Sequence, residues 1–89
     1  MAPADDIPLS TAYGRDSAYI AVHMFRGTRF DRYFGAVESL MATVDGRPHW
    51  GKLHTLDAST LRERYPRFDN FTAVRRSVDP EGTFSNPYL

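Results

Sequence analysis

Cysteine is absent from this sequence, which removes disulfides, zinc–thiolate centres and thiol nucleophiles from consideration. Neither sign of charge is in excess. Eleven basic and eleven acidic residues cancel, leaving no basic surplus to neutralise phosphates, which argues against nucleic acid or an anionic membrane surface as the main partner. No apolar run approaches the ~20 residues of a membrane span. The opening Met1-Ala2-Pro3-Ala4-Asp5-Asp6 lacks the basic and apolar regions of a signal peptide, and the sequence predicts a soluble protein. No glycine-rich phosphate loop follows a strand, since Gly14 and Gly27 are isolated, and there is no serine-centred nucleophile elbow. Three histidines without a spaced pair or a carboxylate cluster make a poor metal signature, and no metal is expected.

What remains is globular in character. The chain has 89 residues, with 42% hydrophobic and 13% aromatic content, enough apolar side chain to argue against disorder and enough length for one domain or less. Its densest stretch is Gly46-Arg47-Pro48-His49-Trp50-Gly51-Lys52, which holds the only tryptophan, the only lysine and one of three histidines. Glycine permits tight backbone geometry and proline fixes one φ angle, so the side chains between them can be aimed at a point.

Residues 1–14 read as a loop, with Pro3, Pro8 and Tyr13-Gly14 as its punctuation. Residues 16–26 read as a central β-strand. One face carries Tyr19, Ala21, His23 and Phe25, the other Ala18, Ile20, Val22 and Met24, and both are largely apolar. Residues 29–44 read as an amphipathic helix with apolar residues at 30, 33, 34, 37, 40, 41 and 44, Thr28 as its N-cap and Asp45-Gly46 as its stop. Residues 46–56 form a loop with a short extended piece. Asp57 caps a short helix at 57–65, closed by Pro66. A third helix covers 67–78, with Phe68, Phe71, Val74 and Val78 as its buried stripe, and a tail follows from Thr83 to Leu89. One strand with three helices is an α+β set that cannot close a sheet, because a central strand needs neighbours on both sides. The expectation is an incomplete fold.

Within this frame, Lys52 beside Trp50 and Gly51 can act as a base or as a hydrogen-bond donor to a substrate oxygen; a solvated lysine at a loop end is the ordinary alternative. His49 can be an acid, a base or a structural hydrogen-bonder. Trp50 reads as a packing anchor. His23 reads as a core histidine on spacing alone, or as part of a pocket lining.

The segment Arg47-Pro48-His49-Trp50-Gly51-Lys52-Leu53 resembles the His-Trp-(Gly/Ala)-Lys signature of the sugar-1,4-lactone and alditol oxidases, FAD-linked enzymes of the vanillyl-alcohol-oxidase superfamily. Leu9-Ser10-Thr11-Ala12-Tyr13-Gly14-Arg15-Asp16, Tyr65-Pro66-Arg67-Phe68, Val78-Asp79-Pro80 and Phe84-Ser85-Asn86-Pro87-Tyr88-Leu89 resemble further family segments in the same order, nearest to the D-arabinono-1,4-lactone oxidase type. The resemblance implies that the complete enzyme transfers a hydride from a CH–OH carbon to flavin N5, with oxygen or another acceptor reoxidising the flavin. It implies Lys52 as catalytic and substrate-binding, His23 as substrate-binding, and His49 and Trp50 as shaping the site. Phe25 stands where alditol oxidases carry a threonine, which points towards a lactone substrate.

The resemblance also implies what is missing. Residues 1–54 would be the C-terminal part of a substrate (cap) domain. Residues 55–89 would pack on an FAD-binding domain that this sequence does not contain. The expectation is therefore a C-terminal fragment that neither binds FAD nor turns over alone. Its partners would be a sugar lactone or polyol and the missing FAD domain, and its location cytoplasmic, with membrane association of the complete enzyme left open. A separately encoded half that complements an FAD-domain chain, and a remnant without function, are the alternatives.

Overall fold

The computed structural model describes residues 1–87, so Tyr88 and Leu89 of the expected tail lie outside the described residues. Three helices follow one another, α1 (Asp31–Ala42), α2 (Ala58–Arg64) and α3 (Phe68–Val78). All three lie within the ranges read from periodicity and breakers. The cap of α2 is as expected: the Asp57 side chain accepts the Thr60 N–H at 2.9 Å. The cap of α1 is not. That helix starts after Phe30 without a side-chain cap, while the Thr28 N–H closes a turn onto the Phe25 carbonyl at 3.0 Å.

The strand expected at 16–26 does not form. Among the described residues the only β pairings are isolated bridges, Ala2 with Ser17 (antiparallel) and Asp5 with Tyr13 (parallel). The residues have strand character, but no second strand runs beside them beyond Ser17, and a strand exists only as a pair. From Ala18 to Phe25 the chain runs without turn, bend or regular structure.

The N-terminal loop is held instead by its own acids. The Asp5 carboxylate accepts from the Ile7 N–H and the Ser10 hydroxyl, and Asp16 accepts from the Ala4 N–H at 2.8 Å. The buried core is small, comprising Ala12, Leu61 and Tyr65. Of the stripe expected to be buried on α3, Phe68 is half-buried, while Phe71, Val74 and Val78 are exposed, with no layer against them among the described residues. The accessible surface totals 7251 Å², against about 5300 Å² for a closed monomer of this mass. The radius of gyration, 14.9 Å, likewise exceeds the ~12 Å expected for a compact domain of this length. With the exposed apolar side chains, both values describe a chain more open than a closed domain, whose apolar faces are left uncovered among the described residues.

Candidate active site

The stretch from Gly46 to Lys52 is built as a clasp. Three residues beyond α1, Asp45 takes a positive φ of 52°, and the Gly46 N–H returns to the Met41 carbonyl at 2.8 Å. A Cβ on Gly46 would sit 2.8 Å from the Met41 Cβ, so only glycine lets the chain turn back this closely. Arg47 then reaches three carbonyls at once. Its Nε donates to Arg64 O at 2.7 Å, and its Nη1 donates to Tyr13 O at 2.8 Å and Thr11 O at 3.2 Å. The guanidinium also stands 5.6 Å from the centre of the Tyr65 ring. Burial, and then the charge of Arg15, push the Arg47 pKa down, a cost offset by hydrogen bonds to carbonyls. Arg64 answers from α2 with a bond to Gly46 O at 3.2 Å.

Trp50 turns into this clasp. Its indole N–H donates to Leu9 O at 3.0 Å, and its ring lies 4.6 Å from that of Tyr65 at an interplanar angle of 34°. Tyr65 is wholly enclosed, at 0% exposure, and its hydroxyl donates to Pro48 O at 2.7 Å. Three segments far apart in sequence (9–13, 46–50 and 64–65) thus meet around one tyrosine.

With Trp50 turned inward, the alternate residues His49 and Lys52 turn outward. His49 Nδ1 accepts the Gly51 N–H at 3.0 Å, and His49 O accepts the Lys52 N–H at 3.0 Å. The first bond leaves the neutral imidazole with its hydrogen on Nε2. His49 and Lys52 border a cleft of about 730 Å³ that His23 also lines, with Arg47, Arg64 and Glu38 at its walls. His23, His49 and Lys52 are all exposed. His23 is therefore a cleft residue and not the core histidine that its spacing suggested. Trp50 does not border the cleft; it braces the turn that does. Phe25, expected on the same face as His23, does not border the cleft; it lines a second groove with Phe30 that shares Phe34 and Leu53 with the cleft. The six consecutive residues 18–23 all border the cleft.

Two contributors were not foreseen. Glu38 is half-buried and accepts the Thr55 N–H at 2.8 Å as well as the Thr55 hydroxyl, tying the segment after Lys52 to α1. Its signal was an acid inside an apolar stripe, between Phe34, Val37 and Met41. Arg47 lay within the stretch singled out, but its partners are carbonyls, which no side-chain pattern reveals. Among the described residues no cluster of three histidines or acids is placed to hold a metal ion.

The model of the D-arabinono-1,4-lactone oxidase family matches residues 1–89. The chain belongs to this family. It is 58% identical over 84 residues to L-gulono-1,4-lactone dehydrogenase of Mycobacterium tuberculosis, a match covering 94% of the chain and 20% of the relative. It is 42% identical over 90 residues to L-gulonolactone oxidase of Bos taurus, covering 96% of the chain and 20% of the relative. With the alditol oxidase of a Streptomyces species it shares 38% identity over 88 residues, 96% of the chain and 21% of the relative. No solved structure matches. The chain thus spans about a fifth of the length of these lactone- and alditol-oxidising relatives.

Proposed function

We propose that the chain is the C-terminal part of an FAD-dependent oxidoreductase that oxidises a CH–OH group of a sugar lactone of the D-arabinono-1,4-lactone kind, with oxygen as acceptor. In this reading residues 1–54 belong to the substrate (cap) domain, residues 55–89 pack against the FAD-binding domain, and the location is cytoplasmic. The observation that carries it is the meeting of Lys52, His49 and His23 on one cleft, in a chain of this family. The exposed Lys52 ammonium suits an oxygen-rich ligand. It would donate to the reacting hydroxyl and offset alkoxide character as that proton leaves. His23 would hold a second substrate oxygen, and His49, with its hydrogen on Nε2, would present a donor. Trp50 fixes the turn from which His49 and Lys52 project.

The described residues do not themselves fit FAD. A pyrophosphate is normally held by free N–H groups at a helix N-terminus. Here α1 and α3 carry Asp31 and Asp69 in their first turns, and an N–H of α2 is taken by Asp57. The flavin is therefore assigned to the remainder of an enzyme about five times as long, and the isolated chain is expected neither to bind FAD nor to turn over. A separately encoded half remains the second reading, favoured by roughly 2000 Å² of accessible surface beyond that of a closed monomer.

Co-expressing the chain with the complementary four-fifths of the mycobacterial relative tests both. The expected result is a yellow complex that oxidises D-arabinono-1,4-lactone, in which Lys52→Ala lowers kcat/KM by about 10²–10⁴-fold. A yellow, active preparation of the isolated chain would contradict the assignment of FAD to other residues. An unaffected Lys52→Ala complex would contradict the role of Lys52.

A further inference from the structure

Helix α1 carries one acid inside its apolar stripe. Phe34, Val37, Glu38 and Met41 follow the i, i+3, i+4, i+7 spacing of one helix face, and all four border the cleft. A half-buried carboxylate gives up part of its hydration there, and hydrogen bonds must replace it. Glu38 makes them to a single residue. Its Oε1 accepts the Thr55 N–H at 2.8 Å, and its Oε2 accepts the Thr55 hydroxyl. Among the described residues no lysine or arginine pairs with it.

The same stretch of α1 holds the other end of this loop. The Gly46 N–H returns to Met41 O at 2.8 Å, and Met41 lies three residues beyond Glu38, just under one helical turn. Residues 46–55 therefore leave α1 at one point and come back to it one turn away, with His49 and Lys52 on the arc between. The two halves of the arc are fastened differently. The first half has the Arg47 and Trp50 bonds of the clasp. After Lys52 the chain runs from Leu53 to Asp57 without turn or regular structure, and Leu53 is 73% exposed. Thr55 follows Lys52 by three residues, a reach of about 10 Å of extended chain. Freeing Thr55 thus frees the C-terminal side of the lysine.

We infer that Glu38 is a positioning residue for Lys52. It acts through Thr55, holding the chain that follows the lysine against α1 so that the ammonium is presented at a fixed point of the cleft. The kinetic consequence rests on the role proposed above for Lys52; the effect on the loop does not. Because Thr55 is exposed, water can take over the lost bonds, so removing Glu38 loosens the loop without unfolding the chain.

The test compares Glu38→Ala with Glu38→Gln. Alanine is the best helix former and leaves α1 intact while removing both bonds. Glutamine keeps both without the charge, its oxygen accepting the Thr55 N–H and its amide donating to the Thr55 hydroxyl. Amide exchange in the full chain is read by NMR. It should quicken about fivefold or more at Lys52 and Thr55 in Glu38→Ala, with the Trp50 indole unchanged and glutamine restoring the parent rates. An unchanged Lys52 amide overturns the inference. So does equal quickening at the Trp50 indole, which would mean general destabilisation, or a Glu38→Gln chain that behaves like Glu38→Ala.

The second readout is the rate of the complex with the complementary four-fifths of the mycobacterial relative. There Glu38→Ala should lower kcat about 10–100-fold with KM little changed. On the Lys52→Ala background the same substitution should lower kcat less than about twofold, since residues acting through one group are not additive. An equally large loss on both backgrounds overturns the inference. A Lys52→Ala complex as active as the parent contradicts the role proposed for Lys52 instead, and the exchange rates then decide whether Glu38 sets the loop.

Discussion

The clasp around Tyr65 and the ribbon at 18–25 are adjacent lengths of one surface with opposite physical states. In the clasp, three segments share an enclosed tyrosine, a guanidinium on three carbonyls and a bonded indole, so its polar atoms are paired inside the chain. In the ribbon, equally apolar residues stand in water beside backbone groups that bond to nothing else in the described chain. The difference is not one of composition. Arg47 brings its own partners from 34 and 36 residues away, whereas the partner of a strand must be another strand. The cleft lies where the two regions meet, with His49 and Lys52 on the firm side and His23 on the open side.

Replacing residues on the two sides should therefore have unequal consequences. Tyr65→Ala should be the most damaging change, since removing a fully buried aromatic ring costs about 3–5 kcal/mol, comparable with the whole stability of a chain this size. Urea unfolding followed by Trp50 fluorescence should show the transition lost or moved close to zero denaturant. Arg47→Lys keeps the charge but not the planar fork, and should cost about 2 kcal/mol in the same assay. A loss under about 0.5 kcal/mol would mean that the three carbonyl bonds are not holding the segments together.

Asp57→Ala tests a local element belonging to neither side. Hydrogen bonds from the Thr60 N–H and hydroxyl hold the Asp57 carboxyl below its ordinary pKa of 3.8. A carboxylate with a depressed folded pKa stabilises the fold above its unfolded value, and that contribution fades as pH falls through the folded value. The melting temperature of Asp57→Ala should lie below that of the parent at pH 7. The two should converge below pH 3.8. Phe25→Ser should have the smallest effect, within about 0.5 kcal/mol, because its ring is already in solvent. A large loss there would show that the ribbon is packed in solution.

The same contrast explains what could be read from the sequence. The helices were legible because their signals are local: a stripe at helical spacing, Asp57 before α2, Pro66 between α2 and α3. The strand was misread because 16–26 supplies one half of a pairing whose other half is absent from the described residues. The α3 stripe of Phe71, Val74 and Val78 was read correctly as apolar but wrongly as buried, for the same reason. At the site, Lys52, His49 and His23 stood out in the sequence as polar candidates, the resemblance supplied the roles expected of them, and the geometry gathers them on one cleft. Arg47 and Tyr65 were not assigned roles, since their partners are the carbonyls of Arg64, Thr11 and Tyr13 and of Pro48. Side-chain spacing does not encode such contacts.

Amide and indole hydrogen exchange on the unmodified chain tests the contrast most directly. The Trp50 indole, bonded to Leu9 O, and the Tyr65 amide, bonded to Leu61 O, should exchange slowest. The amides of residues 18–24 should exchange at nearly the rate of an unfolded peptide. Equal protection in the two regions would contradict the account.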